Sequence, residues 1–243
     1  MKTIGLLGGL SWESSLEYYR VLNRAARARF GGSESAYCVL QSLNFGEIED
    51  LFHAERYDDI AELMIAGART LERAGAEFMV ICSNTSHFWA EKIAASVDMP
   101  VLNIVDVAAA AVKSAGIDKV GLIGTELTME QGFYRDRLLE RHGVSVVTPA
   151  KSERADIEGV IFGELVRGAF RSESRRRYLE IIENLVDRGA QGVILGCTEI
   201  ELLVPPDEVG HLVSVPLFPT TRLHALAAFA CSIGEYVAEY QSA

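Results

Sequence analysis

Two short stretches hold the side chains best suited to chemistry. VICSNTSH at residues 80–87 sets Cys82 beside Ser83 at the end of an apolar run, and GCTEI at residues 196–200 sets Cys197 before Thr198 and Glu199 in the same kind of place. A helix start carries unpaired N–H groups and the positive end of the dipole, a setting expected to move a thiol from about 8.5 toward neutrality. Cys197 is therefore a candidate acid, base or nucleophile. Glu199 either tunes it or receives protons from it, or simply caps the helix that follows. Ser83, Asn84, Thr85 and Thr198 would cradle a carboxylate and an enolate-like intermediate, or simply cap helices; two such loops in one chain favour binding. A third loop, GLLGGLSWES at residues 5–14, offers Gly8 and Gly9 for close backbone approach to a ligand and Ser11 as an N-cap. It lacks the G-x-G-x-x-G of a dinucleotide site.

These loops must be placed by strands and helices. Apolar runs at residues 3–7, 37–40, 78–82, 101–104, 119–123, 144–147 and 192–195 read as strands. Residues 58–74 read as a helix with Ile60, Leu63, Met64, Gly67 and Leu71 on one face, ended by Gly75. Thr128 and Gln131 match a capping box opening a helix with Phe133, Leu138 and Leu139. Alternation of this kind implies parallel sheets covered on both faces.

The chain also repeats itself at a spacing of about 115 residues. KTIGLLGG at Lys2 returns as KVGLIGTE at Lys119, RAGAEFMVICSNT at Arg73 as RGAQGVILGCTE at Arg188, and PVLNIVD at Pro100 loosely as VPLFPTT near Pro216. The expected fold is α/β: two pseudo-symmetric domains with mainly parallel sheets and a site in the cleft where the carboxyl ends of the strands meet. Domain one would comprise residues 1–99 and 210–243, with a last helix over 220–240, and domain two residues 100–209. The repeat sets Cys82 against Gly196 and Ser83 against Cys197. Ser83 thus holds the functional register and Cys82 packs. With Leu10 of the first loop and Thr125 of its repeated copy, the substrate-binding candidates are Gly9, Leu10, Ser11, Asn84, Thr85, Thr125, Thr198 and Glu199.

Composition narrows the partners. A formal net charge of −11 over 243 residues argues against nucleic acid or an anionic membrane surface. No apolar run approaches the roughly 20 residues that span a bilayer. The start reads as a strand and glycine loop rather than a leader. Four scattered cysteines without C-x-x-C argue against zinc and against a disulfide framework, and fit a reducing cytoplasm. His53, Arg56 and Lys151 are cations best read as solvated; His87 either orients the SNT loop or packs.

On IGLLGGLSWES, the Asn84-Thr85 pair, TMEQGFYRDRL from Thr128 and GCTEI, the chain resembles the aspartate/glutamate racemase superfamily over essentially its whole length. The resemblance implies a cofactor-independent enzyme, commonly a homodimer, acting on a small acidic amino acid, with one cysteine per half on opposite sides of the α-carbon. Ser83 stands where the first family cysteine usually stands, and a hydroxyl is a far weaker acid than a thiol. The implied activity is racemisation of L-aspartate or L-glutamate, Cys197 removing the α-proton and Ser83, or a water held there, serving the other face. Alternatives are a single-cysteine decarboxylase of substituted malonates and a homologue that binds amino acids without turning them over.

Overall fold

A computed structural model describes residues 1–236. The chain divides into two units, residues 1–104 with His224 onward, and Val105–Leu223. The first contains β1 (Ile4–Gly8), α1 (Trp12–Phe30), β2 (Cys38–Ser42), α2 (Phe45–His53), α3 (Tyr57–Arg73), β3 (Phe78–Ile81), a 3-10 turn (Thr85–Trp89), α4 (Ala90–Ala94) and β4 (Val101–Leu102). Helix α5 (Ile104–Ser114) leads out of it. The second continues with β5 (Lys119–Gly124), α6 (Glu126–Glu130), α7 (Gly132–His142), β6 (Ser145–Val147), α8 (Lys151–Gly163), α9 (Ser172–Asp187), β7 (Val193–Gly196), α10 (Thr198–Leu203), α11 (Pro206–Val209) and β8 (Leu217–Pro219). Helix α12 (Thr220–Ser232) then returns the chain to the first unit.

Each unit holds a four-stranded parallel sheet, ordered β2-β1-β3-β4 in one and β6-β5-β7-β8 in the other. The same order in the same sequence is the duplication made structural. β1, β3 and β7 are buried along their whole length, as the unbroken apolar runs of central strands require. β2 and β6 stand at the edges and are only partly buried. Helix α3 turns Ile60, Met64, Gly67, Ala68 and Leu71 inward, and a side chain at Gly67 would collide with Leu7, so this glycine lets α3 lie close on β1.

Several boundaries differ from the sequence reading. β4 ends at Leu102 and Ile104 already opens α5. β8 pairs with β7 through Leu217 and Phe218, so the second unit runs to Leu223 rather than to 209, and the first crossing falls after Ile104 rather than at 99. The Thr128–Gln131 capping box does not form. Thr125 caps α6 instead, its side chain accepting from the Thr128 N–H, while Gln131 is extended and separates α6 from α7. Helix α12 ends at Ser232; the expected extension to 240 lies partly outside the described residues.

Candidate functional site

In the first unit β1 and β3 pair in parallel, so the loops that follow them emerge side by side. Gly9 has φ +73, and a side chain there would strike the main chain of Leu43. Its N–H donates to Ser15 Oγ at 2.8 Å. A side chain at Gly8 would meet Ser15 and Leu40. Both positions are thus held to glycine by the protein's own neighbours, which fill the space a side chain would take. Leu10 packs in the core beside Leu7, Ile60 and Met64. Ser11 caps α1 as expected, but at φ 108, a region usually left to glycine.

The loop after β3 is built around Ser83. Its hydroxyl accepts the Ser86 N–H at 3.2 Å, and its carbonyl oxygen lies 2.7 Å from His87 Nδ1. His87 Nε2 accepts the Ile104 N–H at 3.1 Å, which leaves Nδ1 as the protonated nitrogen donating to Ser83. His87 fills both of the roles open to it: it ties down the loop, and its buried ring packs edge-on against His224. Asn84 is buried and Thr85 half-buried at the head of the 3-10 turn. Cys82 is fully buried, and burial pushes its thiol far above the ordinary range.

In the second unit β5 and β7 are likewise parallel neighbours, which brings Thr125 and Cys197 to one end of the sheet. Cys197 is the N-cap of α10. It joins the apolar cluster containing Ile123, Ile200 and Leu203 yet keeps 9% of its surface exposed. Its Sγ donates to Glu199 Oε2 at 3.0 Å. Burial, then the Glu199 charge and its hydrogen bond, raise the thiol well above its usual value, although the N–H groups of Glu199 and Ile200 pull the other way. The helix start therefore acts in the expected direction but is outweighed, and the resting sulfur is a thiol. Thr198 Oγ1 lies 2.8 Å from Thr221 Oγ1. Glu201, absent from the sequence candidates, accepts the Thr221 N–H at 2.6 Å. Its signal was the acid four residues after Cys197, legible only once Thr220 and Thr221 were known to open a helix.

Strand pairing gives an independent register for the repeat. Leu7 pairs with Ile81, and Ile123 pairs with Leu195. Because GLLG at residues 5–8 matches GLIG at 121–124, Ile81 corresponds to Leu195 and, two residues on, Ser83 to Cys197. Within the first unit the structure gathers Gly9, Ser11, Ser83, Asn84 and Thr85, and within the second Thr125, Cys197, Thr198 and Glu199. His53, Arg56 and Lys151 are exposed, and Arg56 is paired with Asp59. No cluster of metal-ligating side chains and no helix long and apolar enough to cross a membrane occurs among the described residues.

These features can be set against known proteins. The profile of the Asp/Glu/hydantoin racemase family matches residues 7–228. A crystal structure from Yersinia pestis, itself only a candidate Asp/Glu racemase, is 45% identical with a TM-score of 0.87, covering 96% of this chain and 100% of its own. An aspartate racemase homologue from Pyrococcus horikoshii OT3 is 32% identical with a TM-score of 0.82, over 96% and 100%. A glutamate racemase of Aquifex pyrophilus is 29% identical over 150 residues, 60% of this chain and 55% of the relative. The match thus spans about half the length of that curated relative. The protein belongs to the Asp/Glu/hydantoin racemase family.

Proposed function

We propose that the protein is a cofactor-independent isomerase that inverts the α-carbon of an acidic amino acid, L-aspartate or L-glutamate. The observation that carries the reading is the Cys197 thiol at the head of α10, hydrogen-bonded to Glu199, in the register position that Ser83 occupies in the other half. Inversion needs an acid and a base on opposite faces of the carbon. Cys197 would serve one face. Ser83, or a water bound to it, would serve the other. Since the resting sulfur is protonated, proton abstraction by Cys197 requires Glu199 to take up the thiol proton first; the N–H groups of Glu199 and Ile200 then hold the thiolate. Ser83 has no comparable acidity, so the two directions are unequal.

Deuterium exchange in heavy water tests this. The α-proton of the L-enantiomer should exchange much faster than that of the D-enantiomer, and Cys197→Ala should abolish both. Equal exchange from the two enantiomers, or exchange that survives loss of the sulfur, rules the mechanism out.

The protonated state of Cys197 favours one second reading, a decarboxylase of substituted malonates in which the thiol only delivers a proton to an enolate. Release of carbon dioxide from a malonate panel, without α-proton exchange of amino acids, would select it.

A further inference from the structure

The fourth residue after each of Ser83 and Cys197 occupies a matching place: His87 in one unit, Glu201 in the other. Strand register extends the correspondence. Met79 pairs with Val101 as Val193 pairs with Leu217, so the head of α5 in the first unit answers to the head of α12 in the second. His87 Nε2 accepts the N–H of Ile104, the first residue of α5, at 3.1 Å. Glu201 Oε1 accepts the N–H of Thr221, the second residue of α12, at 2.6 Å, and the Thr220 hydroxyl reaches the same oxygen at 3.4 Å. Both side chains are buried and both satisfy a donor of an opening helical turn.

Each also closes back on its own loop. Ser83 O receives His87 Nδ1 at 2.7 Å, and Cys197 O receives the Glu201 N–H at 3.4 Å. The difference has a local cause. In the first unit the His87 N–H bonds to Asn84 O, as a 3-10 turn requires. That leaves Ser83 O to the imidazole. In the second unit the turn is α-helical and the main chain supplies the bond. Thr198 and Thr221, joined by their hydroxyls, add a second tie on that side.

We infer that His87 and Glu201 are equivalent positioning residues, each clamping the reactive turn of its own unit to the first turn of the helix after the fourth strand. This rests on the reading that Ser83 and Cys197 lie at the reacting carbon. Neither His87 nor Glu201 is a proton donor or acceptor in the reaction. They fix where the hydroxyl and the sulfur stand.

The two nitrogens of His87 can be tested apart. In His87→Gln the amide can still accept from Ile104 but the donor to Ser83 is lost; in His87→Asn the donor is kept and the acceptor lost. Glu201→Gln keeps the acceptor for Thr221, whereas Glu201→Ala removes it. In heavy-water exchange assays Glu201→Ala should lower kcat about ten- to a hundredfold with KM changed little, and Glu201→Gln should restore most of the loss. His87→Gln and His87→Asn should each lower kcat, because each breaks one of the two bonds. A second set of measurements does not depend on catalysis: amide hydrogen exchange of residues 84–87 and 198–201, and the rate at which iodoacetamide alkylates Cys197. Glu201→Ala should expose the 198–201 amides and speed alkylation, and Glu201→Gln should not. Unchanged amide protection and alkylation in Glu201→Ala, with unchanged protection of residues 84–87 in both His87 variants, overturns the positioning role whether or not the enzyme acts on amino acids. Should Glu201→Ala fail to fold, the His87 pair decides. Loss of exchange in Cys197→Ala reports on the functional reading separately.

Discussion

After burial, Glu199 is the main influence on the Cys197 thiol, and replacing it has two opposed effects. Its negative charge holds the neighbouring thiol up, so Glu199→Gln should bring Cys197 down and shift its alkylation profile to lower pH. The same change removes the group proposed to receive the thiol proton, so on that mechanism α-proton exchange should fall although the sulfur ionises more readily. A variant gaining both reactivity and exchange would show that Glu199 only tunes the sulfur. The raised thiols also carry a stability consequence. Cys82 and Cys197 ionise less readily folded than unfolded, where a thiol titrates near about 8.5. Folding then favours the neutral form, and its contribution is full below that pH and lost above it. Thermal melts should show Tm falling from pH 8 to 10, and less steeply in a Cys82→Ala background.

Among the elements, α5 and α7 are joined by charge. Arg137 grips Asp106 with bonds of 2.7 and 2.6 Å, and His142 Nε2 lies 2.8 Å from the same carboxylate. Burial alone would raise Asp106, but Arg137 and His142 outweigh it and leave the carboxyl below its usual value. Its contribution is therefore present above an unfolded value near about 3.9 and disappears as acid titrates it below that. Asp106→Ala should cost about 3–5 kcal/mol in denaturant melts because Arg137 stays buried without its partner. The loop after β1 is constrained in another way. Gly9→Ala meets both a positive φ and the Leu43 main chain, so a loss of about 1–3 kcal/mol or more is expected in the same assay.

How much of this was legible beforehand depends on the range of the interaction. Period and apolar runs revealed seven of the strands because β1, β3 and β7 are buried throughout and need unbroken hydrophobic sequence. β8 gives no such signal because Pro216 and Pro219 bracket its two apolar residues and interrupt the run. The repeat aligned Ser83 with Cys197 because the strand pairing recurs and the loop start follows it at the same offset in the two halves. What could not be read was the balance at Cys197. A helix start is visible in sequence, whereas the burial that overrides it comes from Ile123, Ile200 and Leu203 assembling around the sulfur. The packing around Gly8 and Gly9 was hidden for the same reason, since Leu43 and Ser15 are distant or unremarkable in the chain until the loop closes.

At the scale of the molecule the two units differ in continuity. The second is one stretch, whereas the first needs a returning segment. His224 is fully buried there, its Nδ1 2.7 Å from Tyr18 Oη and its Nε2 3.0 Å from Leu102 O, and the Lys2 N–H reaches Ser232 O at 2.7 Å. A chain ending at Leu223 should therefore lose amide protection in β1 and α1 while β5 and β7 keep much of theirs. Equal loss in both units would show that they unfold as one.

This discontinuity bears on biosynthesis. Domains emerging from a ribosome ordinarily fold in the order they are made. Here β1 and its neighbours wait for α12, which is made only after the whole second unit, so the second unit is the part free to mature first. The nascent β1-β3 region, with its apolar strands uncovered meanwhile, is where a chaperone would be needed.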